Sequence, residues 1–491
     1  MTPNEFKYKN YNIMKKSIFM LFVAFVFLKA CDLIDGTGIE NPNLPINEAV
    51  NLPNPAAPWV NGLNEQLAST VNAYLVTAEL ATDNYENVQT FYNQNVDNGT
   101  YRDTDNSFDN AQLEIATLRE QSSFGLTDIL ENDETARGTA LEAEMHFHKG
   151  FANLLSGELF TALPPEPTVA AATPSTHFQN AITDFMNAIN ISSSAPEVVG
   201  YQIALARAYY NLGDQANAVS AANAAISADA ANNYVRYREF DGVNGPTNTM
   251  QNAVYDRGNF DDLQPLPRLD FLDPKYAQNG SNDSPVPLLK IEEAYLILAE
   301  AELADDDLPG ARQQLQNALD VVAARPTRLF NETVEQRQDP RLDEGEPGFQ
   351  RPNSSSFQVL FSPNDTNLKS GYILDRTVST EVTTVSGTSR TASDITNLSS
   401  TDEALETVYL MRQEIFFGEG RRMVDLGIRW PVSEVEALNN PSITQEDRQA
   451  VIPAYLPTAI DMDDYSVSGN TVTISVNINQ ILAQQKGNKF Q

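Results

Sequence analysis

The sequence predicts an all-α fold: about four interrupted tetratricopeptide-like helical hairpins form a scaffold, and a loop-rich half carries a few short β-hairpins. Three observations predict it. Two Ala-rich stretches, 197–226 and 287–324, repeat a helix–turn–helix pattern with small residues closely spaced, as tight antiparallel helix pairs require. Long breaks at 227–286 and 325–400 separate the periodic segments, so the chain is not a plain solenoid. Late in the chain, β-branched and polar residues alternate around Ser-Gly pairs, the pattern of short hairpins.

Taken in order, the chain opens with Lys15 and Lys16, an apolar run of 11 residues from Ile18 to Leu28, and Lys29-Ala30-Cys31. A basic n-region, a short h-region and a small residue before a cysteine predict a signal peptide over 1–30, cut before Cys31. The run is shorter than the roughly 20 residues a spanning helix needs. Met14, just ahead of the basic pair, is a second candidate start. Residues 31–58 are rich in Asn and Pro and predict an extended tether, followed by a single body over 59–491.

In the body, Leu63, Leu67, Val71, Tyr74, Leu75 and Ala78 recur at helical steps over 62–90. Further helices are predicted over 108–130 and 135–159. After a break at Pro164–Pro174, Phe178, Ile182, Phe185 and Ile189 resume the pattern, making 135–191 the first hairpin unit. The second is 197–226, turning at Leu212-Gly213-Asp214, and the third is 287–324, turning over Asp305–Pro309. The fourth lies near 402–426. β-Hairpins are predicted within 371–390 and over Tyr465–Val476.

The stretch Tyr409–Pro431 reads as the continuation of a helix begun near Thr401. Leu405, Val408, Ile415, Met423 and Leu426 share one stripe with Arg412, Glu419 and Arg422. Charges on a core-facing stripe need partners, so Glu419 with Arg422, and Arg422 with Asp425, are the expected pairs. Gly418 and Gly420 predict the close approach of another backbone.

Composition excludes several functions. Lys plus Arg is 32 against 66 for Asp plus Glu, a net charge of −34, or −38 without residues 1–30. Such a chain repels nucleic acid and anionic head groups. One cysteine allows no internal disulfide, and three histidines do not predict a metal site. No catalytic residues and no cofactor are predicted. With 65 acidic residues after residue 30, a carboxylate pair of the glycosidase kind has no diagnostic value.

The Cys31 segment, the broken hairpins, Ala-Glu within YLILAEAEL at 295–303, and the run RQEIFFGEGRRMVDLGIRW resemble the SusD/RagB family of outer-membrane nutrient-binding lipoproteins. In that run Arg412, Glu414, Glu419, Gly420, Arg422, Asp425 and Leu426 carry the resemblance. It implies lipidation of Cys31 (palmitate among the acyl chains), anchorage to the outer membrane facing the exterior, and a SusC-like TonB-dependent transporter as partner. It implies capture of a nutrient glycan, or of a peptide as in RagB, in place of hydrolysis. It also implies a ligand site on the loop-rich half. Sugar rings need aromatic faces and polar side chains, and the loop holding Tyr85, Tyr92, Asn95, Tyr101, Arg102 and Asp103, with Tyr255, best supplies them. Arg412, Glu419, Arg422 and Asp425 are expected to be structural. The net charge favours a neutral or cationic glycan.

Overall fold

A computed structural model describes residues 50–88, 93–255, 263–276, 281–330, 337–339, 342–346, 348–375, 378–457 and 461–491. The chain divides into two units, Met1–Pro55 and Ala56–Gln491. In the first, the described residues 50–55 form a short turn segment; the predicted signal peptide, Cys31 and most of the predicted tether lie outside the described residues. Among the described residues no helix is long and apolar enough to cross a membrane.

The second unit is helical with short strands. Its main helices are α1 (Ala56–Leu80), α2 (Asn106–Phe124), α3 (Ala140–Leu159), α4 (Pro174–Ile191), α5 (Ala195–Leu212), α6 (Gln215–Ala228), α7 (Thr249–Tyr255), α8 (Ile291–Ala304), α9 (Leu308–Ala323), α10 (Thr401–Ile415) and α11 (Arg422–Leu426). Strands are β1 (Tyr85–Asn87), β2 (Val235–Arg238), β3 (Leu263–Pro265), β4 (Val286–Lys290), β5 (Thr327–Phe330), β6 (Gln358–Leu360), β7 (Thr380–Thr383), β8 (Tyr465–Ser468) and β9 (Thr471–Ile474).

Helical hairpins α3–α4, α5–α6 and α8–α9 stack into a scaffold, with α1 and α2 packed beside α3. Small residues set the spacing. A Cβ on Gly157 of α3 would stand 2.6 Å from the Phe178 ring of α4, so the ring lies directly on the backbone. In α5 and α6, Ala204, Ala208, Ala218, Ala222 and Ala225 are fully buried along the seam. Asp214 and Asp307 cap α6 and α9, their side chains accepting from Asn217 N and Gly310 N.

The strands join distant segments. β1 pairs antiparallel with β3, β2 with β4 and β5 with β7, while β9 lies between β6, parallel, and β8, antiparallel. The hairpin expected at Tyr465–Val476 is the β8–β9 ribbon. That expected within 371–390 does not form: β7 takes β5 as its partner. The Ser-Gly corner goes elsewhere, since Thr388 Oγ1, Ser389 N and Ser389 Oγ all donate at 2.7 Å to the buried carboxylate of Glu414 on α10.

The stretch 409–431 is not one helix. α10 ends at Ile415, the chain turns through Gly418 (φ +71) and Gly420 (φ +70), and α11 begins at Arg422. A Cβ on Gly420 would meet the Tyr74 ring at 2.8 Å. The turn breaks both expected short-range pairs. Arg422 instead forks onto Asp83 at 2.6 and 2.9 Å and donates to Asn479 Oδ1 at 2.9 Å. Arg412 Nε donates to Asp425 Oδ1 at 2.9 Å. Glu419 accepts from Lys290 Nζ at 2.7 Å and also from Lys275. Arg421 forks onto Glu293 of α8 at 3.0 and 2.6 Å. Gly420 N donates to Glu79 of α1 at 2.5 Å. All these charged side chains are buried. A positive-φ turn points successive polar groups away from their own helix, so the partners come from other elements.

Burial and pairing pull these groups in opposite directions. Burial disfavours ionisation of Asp83, but Arg422 and Arg268 outweigh it and hold the carboxyl below its usual range. For Glu79 burial wins over the bonds from Asn84 and Gly420, raising the carboxyl to about 7. Lys290 is lowered to about 8 by burial, with Glu419 opposing. The cluster is a buried polar core, and its members depend on one another.

Candidate functional site

A groove of about 840 Å³ lies between α1, the start of α2 and the start of α7. Its floor is the face of α1 that carries Asn72, Ala73, Val76 and Thr77. One wall is the loop from Asn93 to the first turn of α2, and the other is the start of α7. Local structure explains the walls. Residues Gln94–Asp97 make one helical turn, Gly99 reverses the chain at φ +66, and Asp105 caps α2 by accepting from Ser107 N at 2.8 Å. The facing wall is pinned by Asn72, which donates to Thr247 O at 2.6 Å and accepts from Thr249 N at 3.0 Å and Thr249 Oγ1 at 2.9 Å.

Amides dominate the lining: Asn72, Asn93, Gln94, Asn95, Asn106, Asn110 and Asn252, with hydroxyls of Thr104, Ser107 and Thr249. Each amide both donates and accepts, as a sugar hydroxyl does. Asn95, Arg102, Asn106 and Asn110 are exposed to the groove. The groove thus presents side chains that both donate and accept hydrogen bonds. Among the described residues no group of three or more His, Cys, Asp or Glu side chains could hold a metal ion.

Of the residues singled out from the sequence, Asn95 and Arg102 meet in this groove. The others are dispersed. Tyr85 is 1% exposed and stacks on Phe417 with ring centres 4.7 Å apart, so it braces the turn after α10; burial holds its hydroxyl well above its usual range. Tyr101 donates to Ala81 O at 3.4 Å and lies edge-on to Phe108. Asp103 accepts from Arg448 Nε at 2.5 Å. Tyr255 donates to Asp273 at 3.2 Å and lies edge-on to Phe330. Tyr92 and Cys31 lie outside the described residues. Both tryptophans are packing residues: Trp430 is fully buried between Phe108 and Phe160, and Trp59 lies against Phe124.

Sequence reasoning missed Asn72, Asn106, Asn110 and Asn252. No local pattern marks them, Asn106 and Asn110 sitting in the polar first turns of α2, and only the fold brings α1, α2 and α7 to one groove.

No protein-family model matches the chain, and no curated protein matches it. Solved structures do. A SusD superfamily protein from Bacteroides fragilis superposes with TM-score 0.54 at 14% identity, over 80% of this chain and 99% of its own. This chain has a SusD-like fold. A SusD superfamily protein from Bacteroides thetaiotaomicron gives TM-score 0.50 at 12% identity, over 79% of this chain and 97% of its own. A Bacteroides vulgatus protein, provisionally named as sugar binding, gives 0.53 at 14% identity, over 82% and 98%. At these identities the likeness is one of fold.

Proposed function

We propose that this SusD-like protein binds a glycan without hydrolysing it. The amide-lined groove carries the reading, because Asn95, Asn106, Asn110 and Arg102 offer a row of hydrogen-bonding groups open to solvent. The provisional name of the Bacteroides vulgatus relative in fold supports it. In the finer version, the signal peptide (1–30) is removed, lipidated Cys31 and the tether (31–58) anchor the body (59–491) to the outer membrane facing outward, and the glycan passes to a SusC-like TonB-dependent transporter. Within the body, Arg412, Glu419, Arg422 and Asp425 hold the scaffold and take no part in binding. Calorimetric titration against a panel of neutral and acidic oligosaccharides tests the reading. At least one is expected to bind, and Asn95→Ala with Asn110→Ala to weaken it by about tenfold or more. Failure of the whole panel to bind, or unchanged affinity in the double variant, would sink it.

A further inference from the structure

We infer that the glycan taken by this groove is acidic, with an anionic substituent seated on Arg102; the inference rests on the glycan reading above. Two charged side chains line the groove, Arg102 and Asp105. Asp105 is committed to its own chain, its Oδ1 accepting from Ser107 N at 2.8 Å as the cap of α2. The neighbouring carboxylate of Asp103 is also taken, by Arg448 Nε at 2.5 Å. Arg102 is exposed and makes no side-chain hydrogen bond or ion pair among the described residues. Other arginines without a carboxylate partner are spent on the protein itself, as Arg328 and Arg429 are on backbone carbonyls; Arg102 is the arginine that lines the groove. Arg207, Arg325, Arg337, Arg412, Arg421 and Arg422 are all paired with carboxylates.

The chemistry around Arg102 fits an acidic sugar. A guanidinium presents parallel N–H groups that match two oxygens of a carboxylate or sulfate, a stronger contact than a neutral hydroxyl makes. The amides of Asn95, Asn106 and Asn110 remain for ring hydroxyls. The net charge of −34, which alone favours a neutral or cationic ligand, acts at a distance and is screened beyond about 8 Å at physiological salt. At contact the local pair dominates.

The test is calorimetry on the chain from Cys31 onward with a galacturonic acid oligosaccharide, its carboxyl-reduced counterpart, a sulfated oligosaccharide and neutral glucans. An acidic oligosaccharide is expected to bind about tenfold or more tighter than the uncharged counterpart. Arg102→Gln is expected to abolish that difference without moving the unfolding midpoint, since the side chain is exposed. Whichever acidic probe depends more on Arg102 names the anion as carboxylate or sulfate. Equal affinity for the acidic and carboxyl-reduced forms, or discrimination that survives Arg102→Gln, overturns the inference and leaves the glycan reading standing. Absence of binding to every probe, neutral ones included, removes both.

Discussion

At the scale of residues, the buried charges set how stability varies with pH. Glu79 titrates near 7 in the fold, against an ordinary value of 4.5. Its folded value is raised, so its contribution is complete below about 4.5 and is lost as pH rises through 7. Across that window the parent should lose up to about 3 kcal/mol through this group. Glu79→Gln should remove that slope whatever its absolute stability, as read by urea unfolding at pH 5 and pH 8; an unchanged difference between the two pH values would refute the assignment. His148 works the other way: burial lowers it to about 4, so its contribution is present above 6.5 and lost on acidification. Glu419 holds two buried ammonium groups, Lys275 and Lys290. Glu419→Ala leaves both without it, and a loss of about 3–5 kcal/mol is expected in urea unfolding, with glycan affinity unchanged in the folded fraction. Normal stability with lost binding would put the ligand on the turn that carries Glu419 and not in the groove.

At the scale of elements, the helical hairpins were legible because each is specified locally. Leu212-Gly213-Asp214 stops one helix and caps the next, and apolar spacing marks the buried faces. The break after Ile415 was misread because the apolar spacing of Leu405 and Val408 resumes at Met423, hiding a turn that only the backbone angles of Gly418 and Gly420 show. The β5–β7 pair was illegible for another reason: neither strand carries a local turn that names its partner, and packing chooses it. The candidate site suffered most. Tyr85 looked like a binding aromatic because core and ligand platform draw on the same residue types, while the asparagines that line the groove are unremarkable as sequence. The turn after α10 makes a sharp prediction. Gly420→Ala adds a Cβ 2.8 Å from the Tyr74 ring at φ +70, and should lower stability by several kcal/mol, on the order of a strained, overpacked core site. Gly469→Ala, also at positive φ but with open space around it, should cost less. Thermal unfolding of the two variants side by side checks this, and equal losses would show that the ring contact is unimportant.

At the scale of the molecule, net charge is the governing quantity. With a charge of −34 and pI near 4.3, the compact state repels itself, and added salt should screen that repulsion. The unfolding temperature is therefore expected to rise between about 0.01 and 0.15 M sodium chloride, where the screening length falls from about 30 to 8 Å. A falling midpoint would mean that the paired network is more sensitive to salt than the general repulsion.

The ion pair between Asp83 and Arg422 spans 339 positions of chain. Its consequence is one of timing. Until the segment around residue 420 has been made, Glu79 in the last turn of α1 and Asp83 just beyond it lack Gly420 and Arg422. Local hairpins can form as soon as they are synthesised, but the body cannot lock, and high contact order makes that closing step slow. The body can therefore become rigid only after the segment carrying Gly420 and Arg422 has joined α1.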